Sequence, residues 1–269
     1  MSDYALGHGD RELERLLLQA EVWGAFTDAL LRRAGLRKRM KVLDLGTGTG
    51  DVALLAAQIV GAEGVVIGID RAPEPLRLAT LRADRAGLTN VRFEVADIHT
   101  FEPADRFDAI VGRFILLHAP DPVAVLRRLS HSLAPDGVLI LQEPDISAAR
   151  TTPPVPLFAQ SVRWVVEGLE RAGARGDLGS LLWSILRRAG VREPALTHDA
   201  RIEAPPGKLG CLYLAQTVKS LLPVIQMTGL ATPDEVGPDT LEQRLLRDVT
   251  EAQAVMVSPA LIGAWGRLG

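Results

Sequence analysis

The chain has 269 residues, of which 47% are hydrophobic and 23% charged, with a formal net charge of -3. That size and balance suit one large globular domain with an elaboration, and no block of like charge is long enough to act as a nucleic-acid arm. The single Cys211 excludes an internal disulfide framework and a cysteine-based zinc site, and no apolar run approaches the roughly 18 residues of a membrane span.

Met1-Ser2-Asp3-Tyr4 has no basic region leading into an apolar one, so the expectation is no secretory signal and a cytoplasmic protein. Residues 1–40 read as helices, with apolar residues at helical spacing in Arg11 to Gln19 and again in Phe26 to Ala34. They form an expected N-terminal helical lid over the site described next. Arg37-Lys38-Arg39 reads as a solvated loop before the first strand.

Residues 41–145 alternate strand and helix patterns, which calls for a parallel sheet with right-handed crossovers and helices on both faces. The apolar strand Val42-Leu43-Asp44-Leu45 ends in the turn Gly46-Thr47-Gly48-Thr49-Gly50, and Asp51-Val52-Ala53-Leu54-Leu55 starts a helix whose free N-H groups face the turn. Dinucleotide sites use G-x-G-x-x-G in this setting, but after Gly46 and Gly48 the third position is Asp51. A carboxylate there would repel a pyrophosphate, and with Asp44 it suits a ligand carrying positive charge. Val65 to Asp70 is a second buried-type strand ending in an acid, followed by Arg71, and such an acid can accept hydrogen bonds from ribose hydroxyls. Val91 to Ile98 is a third strand, closing on Asp97. Phe107 to His118 holds a fourth strand and the segment after it, with Arg113 at the junction. Asp121 and Pro122 mark a helix start. Leu133 to Pro144 holds a Pro-Asp-Gly turn and a fifth strand.

Taken together, residues 41–145 resemble the class I, Rossmann-like S-adenosylmethionine (SAM)-dependent methyltransferases, and are most similar to the small-molecule branch of ubiquinone and menaquinone biosynthesis. The resemblance implies a doubly wound α/β fold. Its sheet is seven-stranded and mostly parallel with an antiparallel last strand, and it carries N-terminal helices and a helical cap insertion. The expected organisation is a lid over 1–40, a SAM-binding core over 41–145, and a helical cap with the last two strands over 146–269. Within that last part, Thr151 to Pro156 reads as a loop, helices fall near 157–172 and 178–189, strands near 194–203 and 259–267, and two helices within 207–250. The implied cofactor is SAM, with S-adenosylhomocysteine as product. Asp44, Gly46, Thr47, Gly48 and Gly50 form its loop. Asp70 and Arg71 lie at the ribose. Asp97 faces the adenine amino group, the backbone of Ile98 reaches a ring nitrogen, and Arg113 offers its carbonyl to the SAM ammonium. Gln19 and Tyr4 close over the methionine end. A structural reading stands beside several of these: a cap for Asp97, a salt bridge for Arg113, solvated helix surface for Gln19.

Methyl transfer to an oxygen, nitrogen or carbon needs mainly that the acceptor be held close to the methyl and opposite the sulfur, with a base where a proton must leave. His118 is the candidate base, against a histidine simply bonded to backbone at a helix entry. Glu143 and Asp145 lie at the carboxyl edge of the sheet, where contact with substrate and capping or salt-bridge roles are both open. No histidine spacing forms a metal pattern, so no metal is expected. The segment after the fourth strand lacks the Asn/Asp-Pro-Pro-aromatic signature of enzymes that methylate exocyclic amines of nucleic acid. The acceptor is therefore expected to be a small, largely apolar metabolite, with Phe158, Trp164, Trp183, Tyr213, Leu221 and Met227 divided between cap core and cavity. Expected partners are this acceptor and, for the chain itself, a homodimer, with no nucleic acid and no membrane span. Two alternatives share the cofactor: a non-methylating cyclisation or rearrangement, and non-catalytic SAM binding.

Overall fold

The computed structural model describes residues 10–205 and 207–269. In chain order the elements are α1 (Asp10–Arg33), β1 (Lys41–Leu45), α2 (Asp51–Val60), β2 (Val65–Asp70), α3 (Pro73–Arg85), β3 (Val91–Val95), β4 (Phe107–Arg113), α4 (Pro122–Ser130), β5 (Leu133–Asp145), β6 (Arg150–Thr152), α5 (Pro156–Arg171), α6 (Leu182–Arg188), β7 (Ala195–Asp199), β8 (Ile202–Glu203), α7 (Lys208–Met227), α8 (Pro233–Val236), α9 (Leu241–Glu251), β9 (Val255–Val257) and β10 (Ala260–Arg267). Two compact units divide them. The larger, or core, unit comprises Trp23–Glu143, Ser180–Thr197 and Ile262–Gly269; the other comprises the segment ending at Val22, Pro144–Gly179 and His198–Leu261.

The core unit is built on a seven-stranded sheet in the order β3-β2-β1-β4-β5-β10-β7. The sheet is mostly parallel, and the chain's last strand runs antiparallel. Val42, Leu43 and Leu45 are fully buried, as expected of a parallel strand covered on both faces by crossover helices. Leu43 pairs with Ile67 of β2 on one side and Ile110 of β4 on the other. One face carries a cluster in which Val42, Val66, Ala109, Val111 and Ile140 meet Ala53, Ala56 and Val60 of α2 and Leu30 and Leu31 of α1. The small alanines of α2 let that helix lie close to the sheet.

Strand order sets the switch point of the sheet. From β1 the chain winds outward to β2 and β3, then returns to place β4 on the other side of β1. The connections after β1 and β4 therefore diverge at the carboxyl edge, and this is the sheet's topological switch point. The register sets the acids along the same edge: Leu45 is level with Ile69 and Gly112, and Asp70 with Val95.

The other unit contains a small antiparallel sheet, β6-β9-β8, and packed helices α5, α7 and α9. The buried face of α7 is Cys211, Ala215, Val218, Leu221 and Ile225. Among the described residues no helix is long and apolar enough to cross a membrane.

Several local expectations change. The two N-terminal helical stretches are one helix, α1, because no Gly or Pro breaker other than Gly24 separates them. The strand expected over 194–203 is two strands in different sheets, β7 and β8. Thr151 and Thr152 lie in β6 rather than in a loop. The region 207–250 holds three helical pieces, the added one being the single turn α8, which opens on a Thr232/Glu235 capping box. Trp183 and Met227, read as core or cavity residues, are 50% and 80% exposed.

Asp121 does cap α4, its side chain accepting from the Ala124 N-H at 3.0 Å with Pro122 next in the helix. Asp121→Ala is expected to cost about 1 kcal/mol of stability in urea unfolding. An unchanged midpoint would show that this cap contributes nothing.

Candidate active site

The turn after β1 needs glycine for reasons visible in its own packing. Gly46, Gly48 and Gly50 have φ of 60°, 52° and 85°, in the left-handed region. A Cβ on Gly46 would overlap the Ile115 side chain, and one on Gly50 would lie 2.9 Å from the Ala79 Cβ. The turn is thus bare backbone with its neighbours pressed against it. Thr47 points back into the fold, its hydroxyl donating to Asp44 Oδ2 at 2.6 Å, while the absence of a side chain at Gly68 leaves room for that hydroxyl.

Asp70 joins this turn to the end of β2. Its carboxylate accepts from the Gly48 N-H (2.9 Å, Oδ2) and the Ala72 N-H (3.0 Å, Oδ1), and the residue stays half-buried. Each carboxylate oxygen has more than one lone pair, so both retain capacity for hydroxyl donors. Arg71 beside it is exposed.

Asp51 behaves differently from the sequence expectation. Its carboxylate is clamped between Arg82 of α3 (2.5 Å to Oδ1) and Arg113 at the end of β4 (3.0 Å to Oδ2). Arg113 and Asp51 are nearly inaccessible, with side chains 3% and 8% exposed. Asp51 is therefore neutralised inside the protein, and its charge is no argument for a cationic ligand. The pair continues inward: Arg113 Nη1 donates to Thr27 Oγ1 (3.0 Å), and Thr27 donates to Gln142 Oε1 (2.7 Å). Arg82 also donates to the Thr49 carbonyl at 2.6 Å, which ties α3 to the glycine turn.

Two acids at this edge are held out of their usual range. Burial pushes Asp44 up to about 7, against the Thr47 hydrogen bond and the Arg113 charge, which favour the carboxylate. Burial pushes Glu143 up to about 8, against the backbone N-H groups of Leu116, Ile115 and Leu117.

The structure brings Asp44, Gly46, Thr47, Gly48, Gly50, Asp70, Arg71 and Arg113 together at the switch point. The Arg113 side chain makes the salt bridge that was one of its two readings. Asp97 is exposed and accepts from the His99 N-H at 2.8 Å, so its carboxylate caps the turn after β3. Ile98 is buried, and its carbonyl accepts from the Arg128 guanidinium. His118 is half-buried, the last residue of a 3-10 turn Leu116–His118 that follows β4. Gln19 belongs to the other unit, where its amide oxygen accepts from Arg15 Nη1 at 3.0 Å and Tyr213 Oη at 3.3 Å. Tyr4 lies outside the described residues. Sequence reading did not find Arg82 as a partner of Asp51, 31 residues away on a helix face, because no local pattern marks such a pair.

Residues 36–174 match the family model described as "Methyltransferase domain". Among curated proteins, a trans-aconitate 2-methyltransferase of Methylobacterium radiotolerans is 38% identical over 171 residues, 63% of this chain and 59% of that protein. An arsenite methyltransferase of Aquipseudomonas alcaligenes is 35% identical over 176 residues, 60% of this chain and 47% of that protein. The chain spans about half the length of the curated relatives it matches. The solved structure of the Bacillus subtilis protein YcgJ superposes with a TM-score of 0.58 at 19% identity, covering 91% of this chain and all of that one, which is a likeness of fold.

Arg113→Met, Asp51→Asn and the double variant form a cycle whose coupling is expected at about 1–3 kcal/mol in urea unfolding. Arg113→Met should also move the Asp44 carboxyl further up, since it removes the charge that favours the ionised form. Additive effects and an unmoved Asp44 titration by NMR would show that the clamp is not a working interaction.

Proposed function

The chain belongs to the methyltransferase-domain family, and from that premise we propose that it is a SAM-dependent methyltransferase acting on O, N or C of a small, largely apolar metabolite. The observation that carries this reading is the left-handed glycine turn joined to the carboxylate of Asp70 at the switch point of the sheet. The residues fit the cofactor: the turn presents backbone rather than side chains, and Asp70 is anchored by two N-H groups with lone pairs to spare for ribose hydroxyls. The two relatives described above carry names of enzymes that methylate small molecules. When bound, SAM supplies a methyl group already activated by its sulfonium.

In this reading the chain's own work is positional. Gly46, Thr47, Gly48 and Gly50 offer backbone, Asp44 supports the turn through Thr47, and Asp70 orients the ribose. Asp97 and the Ile98 backbone take the adenine end, and the Arg113 carbonyl takes the ammonium. Holding the acceptor atom in line and away from water supplies most of the rate. His118, on the turn after β4, takes the proton from an acceptor hydroxyl or amine and passes it to solvent.

Incubation with labelled SAM and a panel of aromatic, polyketide and isoprenoid acceptors is expected to label at least one small molecule; transfer only to protein or nucleic acid would overturn the reading. Asp70→Ala is expected to weaken SAM by about 1.5–3 kcal/mol in calorimetry, the range for hydrogen bonds to a charged group. His118→Gln should lower kcat and leave SAM affinity unchanged, and a wild-type kcat would remove His118 from the chemistry.

A further inference from the structure

The corner after β4 is strained, and β5 holds it. Phe114 has a φ of 56°, a conformation that costs a bulky L residue and persists only where its surroundings enforce it. Its N-H donates to the Gln142 carbonyl at 3.0 Å, its ring meets Trp23 edge-on at 6.1 Å between centroids, and the Arg113 guanidinium lies over it at 5.8 Å. The next residue of β5, Glu143, does the rest. Its Oε1 accepts from the N-H groups of Ile115 (3.0 Å) and Leu116 (2.7 Å), and the residue is completely inaccessible.

What this corner carries is Ile115. That side chain occupies the space where Gly46 and Gly112 have no Cβ, so it forms a wall directly against the glycine turn. Glu143 thus reaches the turn through one hydrogen-bonded residue, and it stands at the carboxyl edge without a reacting partner of its own. We propose that Glu143 is a positioning residue: its buried carboxyl sets the Phe114–Leu116 corner and through Ile115 fixes the shape of the glycine cradle. This rests on the reading of that turn as the cofactor site.

The role depends on length and acceptor geometry, not on charge. Burial favours the protonated carboxyl, pushing its pKa up to about 8, and its Oε2 has no hydrogen-bond partner among the described residues. An amide nitrogen in place of Oε2 therefore displaces no donor, and Glu143→Gln keeps the one oxygen that matters. Glu143→Asp keeps the acid but shortens the reach to Ile115 and Leu116 by one methylene.

The test is calorimetric binding of S-adenosylhomocysteine to the full chain as wild type, Glu143→Gln and Glu143→Asp, with thermal unfolding of each. The expected result is a Kd within about 3-fold of wild type for Glu143→Gln and a Kd at least 10-fold weaker for Glu143→Asp, measured where each variant is fully folded. The reverse order, with Asp retained and Gln lost, would mean that charge is what the site needs and would overturn the proposal. A lower Tm with unchanged Kd in Glu143→Asp would overturn it as well, since the residue would then serve the fold alone. Failure of the wild type to bind the ligand would instead remove the cofactor reading on which the proposal rests.

Discussion

The carboxylate of Asp51 between the guanidinium groups of Arg82 and Arg113 is the interaction on which the rest of the core unit depends. It joins the first residue of α2 to α3 and to the end of β4, and through Thr27 and Gln142 it reaches α1 and β5. Five elements therefore meet at one buried charge cluster beside the glycine turn. A buried ion pair contributes little net stability relative to a well-packed apolar one, but removing one partner strands a charge, so such a cluster enforces one arrangement over others. The turn between Gly46 and Gly50 inherits its shape from that arrangement, because Arg82 also binds the Thr49 carbonyl.

Acids at one sheet edge have come to differ through their surroundings. Asp51 is neutralised by two arginines. Asp44 and Glu143 are buried and pushed toward the protonated form. Asp97 is exposed and caps a turn. Asp70 alone of these is half-buried at the turn and anchored by two backbone donors. Gly68 and Gly112 contribute to this packing, since their missing side chains admit Thr47, the partner of Asp44, and Ile115, held by Glu143. The same residue type thus supplies a structural clamp, an internal hydrogen-bond partner and, in the proposed function, the group offered to the ribose.

The core was legible because its signals are local. Apolar strands ending in acids, alternate glycines and the Asp121-Pro122 helix start are each contained within a few residues, and the parallel order follows from the alternation of strand and helix. Long-range pairing was not legible. Nothing near Asp51 announces Arg82, and the expectation that its charge would favour a cation failed for that reason. The positive φ of Phe114 has no sequence signal, since a phenylalanine there reads as an ordinary strand or loop residue. Beyond residue 145 the pattern weakened: amphipathic helices were found at nearly the right places, but short strands such as β6 and β8 carry too few residues to show a period. Trp183 and Met227 are exposed and so lie outside the core, because apolar character does not itself dictate burial and single exposed apolar residues are common.

The proposed function requires Asp70 to face the cofactor while Asp51 stays internal. A crystal structure of the chain with S-adenosylhomocysteine tests it most directly. The expected structure has ribose hydroxyls on the Asp70 carboxylate, the ligand lying along the Gly46–Gly50 backbone, and Asp51 still clamped by Arg82 and Arg113. A ligand bound away from the turn, or one that draws Asp51 out of its arginine clamp, would contradict it.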